Sequence, residues 1–514
     1  MAETPPAGLR PGAIFDCSRG SPGERLTFEY VVVGSGAGGA TAAWDLAAAG
    51  KEVLLLEAGA DRIGSALTQR DGEMYDQMYA ERGGRSTVDL SISVLQGKGL
   101  GGGTIINACD VVPASDEVLG LWAKTYGLGE LAPEKVAPFA ARALADLSAS
   151  RIPEAALNRA NQLLKAGTEA MGWQGEPMMH NRVDCVDLGT CLIGCPADAK
   201  SNTRFVAVPG ALSHGAAVAV RARVERIEEG GVEQKRLVVS RLDALGREVL
   251  GTFEVRASRL ILACNPVDTV ALLRRSGLGN ERVGRHLSLQ PQLPFMALFE
   301  EEVRAFEGIP QAYAVTEFER FVPGAGLGGF RIEAIMGTPG IVASLVPFVG
   351  HEHKEMMTLY PRIAASLLLI PDAPVGEVRV EASGRPRVHY ELTDDVRARM
   401  REAAKAAAEI YFAAGATRII VPTMRPVVIE RGASLEPLAR MELPPAGAPL
   451  LSAHQQGGVR MGADAASSAA TPEGEVRGTR GIHVLDSSGF PTSVSTHTMT
   501  GIIALSHLQT ARMV

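Results

Sequence analysis

The stretch that most limits what this chain can fold into is Phe28–Gly59, FEYVVVGSGAGGATAAWDLAAAGKEVLLLEAG. It reads as a strand, a glycine-rich turn, a helix and a second strand. Tyr30–Val33 is an unbroken apolar run suited to a parallel strand buried on both faces. Thr41–Ala49 is alanine-rich and helical, and Gly50 stands at the C′ position, where helices close in left-handed geometry. Val53–Glu57 predicts the next buried strand. Within the turn, Gly34, Gly36 and Gly39 fit G-x-G-x-x-G: the first allows the tight turn, the second admits a pyrophosphate against the backbone, and the third lets helix and strand pack closely. Glu57 lies a little more than ~20 residues on, where an acid meets a ribose 2′-hydroxyl. The helix N-terminus would face the phosphate charge. These features predict a bound dinucleotide on Gly34, Gly36, Ala37, Gly38, Gly39 and Glu57. The acid favours an unphosphorylated ribose, hence FAD or NAD over NADP.

Composition narrows the field. The 514 residues are 46% hydrophobic and 21% charged, which excludes wholesale disorder. At ~150 residues per domain the length suggests about three domains' worth of chain. The net charge of −7, with no block of like charge, argues against nucleic-acid binding. The longest charge-free apolar run, near Ala334–Gly350, is interrupted by Gly337, Pro339, Gly340 and Pro347. It is read as a buried or substrate-facing segment, and no transmembrane helix is expected. Residues 1–27 hold no apolar signal region, and six Cys in so long a chain are no disulfide framework, so reduced thiols and a cytoplasmic location are expected.

Farther along, residues 115–178 have helical spacing, and Ala217–Ile227 and Ser258–Ala263 read as buried strands. Glu377–Val380 and Arg387–Glu391 alternate like strands. A long helix should follow Thr393 as N-cap, with Asp394 and Asp395 in its first turn and Gly415 closing it.

A second glycine cluster, Gly97-Lys98-Gly99-Leu100-Gly101-Gly102-Gly103-Thr104-Ile105-Ile106-Asn107, reads alone as a loop. Two C-terminal segments add to it: Leu451–Gly462, LSAHQQGGVRMG, and Gly481–Ser506, GIHVLDSSGFPTSVSTHTMTGIIALS. Taken in order, these motifs resemble the glucose–methanol–choline (GMC) flavin oxidoreductases from Phe28 to the C-terminus. The resemblance implies an α/β chain in which a Rossmann-like FAD-binding domain is interleaved with an α+β substrate domain of sheet plus helices. It implies FAD-binding parts at 27–112, 185–292 and 447–514, a helical cap or substrate part at 113–184, and a substrate-binding domain at 293–446. It further implies FAD contacts from Gly99, Gly102, Gly103, Thr104, Asn107, Val224, Asp486, Ser487 and Thr498. Lys98 stands where Arg is commoner. Leu262-Ala263-Cys264-Asn265 replaces a glycine-ended turn, and Asn265 is the residue there that tolerates positive φ. His286-Leu287-Ser288-Leu289-Gln290-Pro291 departs from N-L-x-x-H-P. Where some relatives attach FAD covalently through His, this chain has Ile106, so a non-covalent flavin is expected.

The resemblance places the catalytic pair on His454 and His497. Imidazole has the side-chain pKa nearest neutrality and suits proton abstraction from an alcohol. His454 would be the base and His497 would hold the developing oxyanion. His351 and His353 show no third ligand, so no metal is expected there.

Cys185-x5-Cys191-x3-Cys195-Pro196 precedes Ala197-Asp198-Ala199-Lys200-Ser201-Asn202-Thr203. Sugar and gluconate dehydrogenase subunits of the family carry such a cysteine pattern with a [3Fe-4S] centre, which three thiolates can hold. Relatives of long-chain alcohol and cholesterol oxidases carry a similar segment with no cluster, though with a further Cys where Leu188 stands. The A-K-S-N-T continuation favours the second branch, so no metal site is expected. Cys17, Cys109 and Cys264 read as small buried apolar residues. The apolar stretches Phe330–Gly350 and Leu367–Ile370 point to an apolar, long-chain or sterol-like alcohol, with oxygen or another electron acceptor completing the cycle. Two alternatives remain: an iron–sulfur dehydrogenase subunit acting on sugars or polyols, and a non-redox flavin-fold lyase.

Overall fold

A computed structural model describes residues 9–229, 234–322 and 326–514. Strand Arg25–Val33 lies at the centre of the first sheet. It pairs in parallel with Val53–Glu57 on one side and with the long strand Val249–Leu262 on the other. Ala217–Val220 and then Ile14–Asp16 continue the parallel flank. Lys235–Leu242 and Ala222–Glu229 form an antiparallel flank beyond Val249–Leu262, whose C-terminal end also pairs in parallel with Ile482–Val484. Tyr30 and Val32 pack towards the helix Ala37–Ala48, whereas Val31 and Val33 join the main core on the opposite face. Both faces are covered, as a parallel sheet requires.

The run Ala217–Ile227 is two strands rather than the single one expected. Arg221 takes φ 54° and turns the chain between them. Ala217–Val220 then stays parallel beside Val53–Glu57, and Ala222–Glu229 crosses to the antiparallel flank. The run AVAVRARVERI changes at Arg221 from continuous apolar to alternating charged and apolar residues, and the break falls there without a Gly or Asn to mark it. Arg221 is tied down by its N–H to Gly59 O and by an ion pair with Asp16.

The second sheet is antiparallel along its main path, in the order Val427–Glu430, Arg418–Val421, Gln292–Leu298, Ile363–Leu369, Arg331–Ile335, Tyr313–Val315 and Gly175–Pro177. Leu450–Ser452 joins it beside Gln292–Leu298 and pairs in turn with Ile92–Val94. Helices Arg159–Ala170 and Asp394–Ala413 pack on this sheet and on each other. The second helix begins where the sequence predicts: Thr393 Oγ1 accepts the N–H of Val396 at 3.3 Å, Asp394 and Asp395 fill the first turn, and Gly415 at φ 101° follows its end. The strand-like runs Glu377–Val380 and Arg387–Glu391 fall on strands Glu377–Val380 and Pro386–His389, which form a separate hairpin.

The C-terminal helix Met499–Ala511 lies against Ala37–Ala48: a Cβ on Gly38 would meet Ile502 Cγ2 of that helix at 3.1 Å, and Leu485 O, just past strand Ile482–Val484, at 1.6 Å. The C-terminal ends of the parallel strands therefore open towards the second sheet. In open α/β sheets that is where ligands bind. No helix among the described residues is long and apolar enough to cross a membrane.

Candidate active site

One cavity of about 1470 Å³ runs from the glycine turn of the first sheet to the face of the second. Ordinary small-ligand pockets occupy ~300–1,000 Å³, so this one has room for a large cofactor and a substrate. Of the residues singled out in the sequence, Gly34, Gly36, Ala37, Gly38, Glu57, Gly102, Gly103, Thr104, Asn107, Val224, Asp486, Ser487, Thr498, His454 and His497 all line it; Gly39 and Gly99 stand behind the wall.

The glycines divide by what surrounds them. A Cβ on Gly39 would meet Gly34 O at 1.9 Å, and one on Gly34 would meet Ala263 O at 2.3 Å, with φ already at 97°. Those positions are glycine because the protein's own backbone fills the space. Gly36 has φ −67° and its Cβ would find only Gly102 Cα, at 3.9 Å; Gly103 has nothing within 4 Å. Neither the fold nor the backbone conformation demands glycine at Gly36, yet both residues border the cavity. Such a cradle, at the N-terminus of helix Ala37–Ala48, fits a pyrophosphate that must touch backbone.

Glu57 is more engaged than its sequence position suggests. Its carboxylate accepts Ser35 N at 3.1 Å, Ser35 Oγ at 2.6 Å and Gly59 N at 2.7 Å. It thereby fixes the glycine turn, and of roughly four acceptor positions on a carboxylate one is left for a ribose hydroxyl. Burial raises its pKa against those hydrogen bonds. Asp486 joins the C-terminal segment to the Cys264–Asn265 turn: it accepts Asn265 N and Thr269 Oγ1, both at 2.8 Å, and Ser488 N at 2.8 Å. Asn265 does take positive φ, 80°.

His454 and His497 come together edge to face, ring centroids 4.8 Å apart. Both are buried, and their partners make them unlike. His454 Nδ1 lies 3.4 Å from the Gln292 amide nitrogen and, among the described residues, has no carboxylate in hydrogen-bond reach. Burial, then repulsion from His497, pulls its pKa down to about 3, so this ring is neutral. His497 Nε2 sits 3.0 and 3.1 Å from the two oxygens of Glu333, and its Nδ1 lies 3.9 Å from Asp110 Oδ2. Burial opposes the charged form of His497, but Glu333 and Asp110 outweigh it and hold its pKa above the ordinary value. Glu333 is wholly buried in strand Arg331–Ile335 and also accepts Arg331 Nε at 2.5 Å and Gln311 Nε2 at 2.6 Å. Burial alone would raise its pKa; the charges of His497 and Arg331 hold it well below the usual carboxylate range.

Glu333, Gln292, Asp110 and Gln311 all line the cavity and were not singled out by the sequence reading. Glu333 left one signal: an acid between Ile332 and Ala334 in an apolar run, where a buried charge must have a partner. The apolar segment after it folds as helices Pro339–Leu345 and Gly350–Thr358, and Ile335, Met336, Ile341, Val342 and Leu345 line the same cavity as His497. His351 pairs with Glu355 at 3.0 Å and His353 Nε2 bonds Ala343 O at 2.9 Å. Cys185, Cys191 and Cys195 lie off the cavity wall. Arg182 Nη1 faces the sulfurs of Cys191 and Cys185 at 3.2 and 3.8 Å, and no group of three or more metal-ligating side chains occurs among the described residues. Cys109 is buried, as expected of a small apolar residue, and its segment is clipped to that of Cys191: Arg182 reaches Cys191 Sγ and Ala108 O, and Lys200 reaches Cys191 O and Asn107 O.

Residues 75–292 and 372–506 match the N- and C-terminal domains described as GMC oxidoreductase, and residues 32–96 match an NAD(P)-binding Rossmann-like domain. An uncharacterised GMC-type oxidoreductase of Mycobacterium tuberculosis is 30% identical over 487 residues, covering 93% of this chain and 74% of its own. A long-chain-alcohol oxidase of Arabidopsis thaliana is 27% identical over 95% of this chain and 68% of its own. The solved structure of a formate oxidase of Aspergillus oryzae superposes with a TM-score of 0.70 at 15% identity, over 95% of this chain and 98% of that one. With the dinucleotide cradle, the paired histidines and matching domains across most of its length, this chain belongs to the GMC oxidoreductase family and is an FAD-dependent oxidoreductase.

Proposed function

We propose that the protein oxidises an apolar, long-chain or sterol-like alcohol to its carbonyl, with His454 as proton acceptor and His497 as oxyanion partner. The observation that carries this reading is the pairing of a neutral and a charge-stabilised imidazole in a cavity large enough for FAD and a substrate and lined in part by Ile335, Met336, Ile341, Val342 and Leu345. FAD would be held by Gly34–Gly38, Glu57 and the cavity-lining part of the second glycine loop, Gly102–Asn107, and when bound would supply the hydride acceptor.

The neutral His454 ring is ready to take the hydroxyl proton. Turning the Gln292 side-chain amide end over end would put its Oε1, which has no partner, in place of Nε2. It then accepts Nδ1–H and leaves His454 Nε2 bare for the substrate. His497 Nε2 is committed to Glu333, so the oxyanion contact falls to Nδ1–H, whose distance to Asp110 exceeds hydrogen-bond length. Holding charge on His497 before the substrate loses its proton is electrostatic preorganisation of the kind that lowers such barriers most. The apolar helix Pro339–Leu345 and its neighbours exclude water and favour a hydrocarbon chain over a sugar. The long-chain-alcohol oxidase similarity points the same way and makes oxygen the first electron acceptor to test. The six free thiols fit the reducing cytoplasm.

An anaerobic screen of aliphatic, aromatic, sterol and sugar alcohols by flavin bleaching tests the substrate class. Long-chain or sterol alcohols should bleach fastest; bleaching by sugars alone would overturn the apolar assignment. Ile106 offers no attachment atom for a covalent flavin. Acid precipitation is therefore expected to release the flavin into the supernatant, and a yellow washed pellet would contradict this.

The pH profile follows from the two imidazoles. His454 stays neutral above about pH 3, so it imposes no acidic fall in the working range. His497 is charged below its raised pKa and loses that charge as pH rises through it. The rate of flavin reduction should thus be level in mildly acid solution and decline on the alkaline side. Glu333→Gln removes a carboxylate that raises the His497 pKa, so the decline should begin at lower pH. Stopped-flow reduction across pH measures it, and an unmoved alkaline limb in Glu333→Gln would refute the assignment of His497 as the charged partner.

A further inference from the structure

The cysteine motif is not used by the chemistry above, yet it is built with care. Two cations hold Cys191 against the segment that carries Cys109. Arg182 Nη1 donates to Cys191 Sγ at 3.2 Å, and Nη2 of the same guanidinium donates to Ala108 O at 2.7 Å. Lys200, buried to 1% exposure, donates from Nζ to Cys191 O at 3.0 Å, to Asn107 O at 2.6 Å and to Ile105 O at 3.1 Å. These clips bring the Cys109 segment against Cys191, close enough for the two thiols to influence each other's ionisation. Residues flanking both cysteines, Ala108 and Asp110 on one side and Leu192 on the other, form part of the cavity wall.

We propose that Cys191 and Cys109 form a peroxide-reactive dithiol behind the wall of the active cavity. A thiolate is the form of cysteine that attacks peroxide, and guanidinium and ammonium neighbours stabilise it. Hydrogen bonding from Cys109, then the charges of Arg182 and Lys200, overcome burial and hold Cys191 well below the ordinary thiol range; burial leaves Cys109 protonated, its pKa well above that range. The Cys191 thiolate attacks one oxygen of hydrogen peroxide, the O–O bond breaks, and sulfenic acid and hydroxide form. The Cys109 thiol then displaces the sulfenic oxygen: an S–S bond forms, and the oxygen leaves with the thiol proton as water. Two electrons pass from the two sulfurs to one peroxide. An oxygen-dependent reaction in the cavity would generate that oxidant alongside the site, but the dithiol chemistry stands independently of the alcohol assignment.

The test needs no substrate. Holoprotein is exposed to a small excess of hydrogen peroxide, denatured with a blocking reagent, and titrated for thiols. The count should fall from six to four, return to six with dithiothreitol, and map to one peptide pair joining Cys109 to Cys191. Cys109→Ser should instead yield a sulfenic acid on Cys191, trapped by dimedone, with no disulfide. Arg182→Gln should slow the oxidation at neutral pH by roughly tenfold, because a thiol of ordinary pKa near 8.5 is only a few per cent ionised there. Six thiols remaining in the wild type would overturn the proposal. So would a disulfide that leaves out Cys191 or joins it to Cys185, or an Arg182→Gln variant oxidised as fast as wild type.

Discussion

Gly36→Val is expected to give a folded protein that is purified without flavin. The expectation rests on how differently the glycines of one short turn are surrounded. Gly36 has an ordinary negative φ, and the nearest atom a Cβ would meet is Gly102 Cα at 3.9 Å. Valine there meets no forbidden backbone geometry, and its branches point into the cavity that the pyrophosphate would fill. Gly38→Val is the contrasting variant. Its Cβ would lie 1.6 Å from Leu485 O, so the packing of helix Ala37–Ala48 on the C-terminal segment must give way. Far-ultraviolet circular dichroism and flavin absorbance separate the two. Gly36→Val should keep native ellipticity and lose the flavin bands, whereas Gly38→Val should lose both or fail to accumulate. A yellow, folded Gly36→Val protein would mean that the pyrophosphate does not lie on this turn.

That contrast also shows what could be read in the sequence and what could not. The strand–turn–helix–strand unit was legible because each of its cues is local: an apolar run, glycines at fixed spacing, an acid at the strand end. The helix after Thr393 was legible for the same reason, its cap and first-turn acids being adjacent in sequence. The break at Arg221 was not, because a left-handed residue that is neither Gly nor Asn carries no turn signal of its own, and an Arg between two β-prone stretches reads as part of one strand. At the site, His454 and His497 stood out only through motifs resembling a known family. Their electrostatic difference was out of reach. It depends on Glu333, which meets His497 from 164 residues away, and on strand Gln292–Leu298, which brings Gln292 to His454 across 162. Such distances are closed by the register of the second sheet against the C-terminal segment, which no local pattern encodes.

His454→Ala is expected to keep its fold and its flavin and to reduce that flavin ~10²–10⁴-fold more slowly, the usual contribution of a general base. Among the described residues the ring's one side-chain hydrogen-bond partner is Gln292, an uncharged amide, so its removal leaves no buried charge unpaired. His497→Ala is a different perturbation. It removes an oxyanion contact worth about 3–4 kcal/mol, and it also strips Glu333 of one of its three partners, leaving Arg331 and Gln311. The Ala variant should therefore lose stability as well as rate. His497→Asn should recover part of both, since an amide can still donate to a carboxylate or an oxyanion. The double Ala variant should fall well short of the product of the two losses, because both rings act on one hydroxyl. Single-turnover reduction by an alcohol deuterated at the carbinol carbon, with a primary isotope effect, ties the measured rate to the hydride step. Should both Ala variants reduce flavin at near wild-type rates, His454 and His497 would be structural, and the proton would have to leave by way of another group lining the cavity.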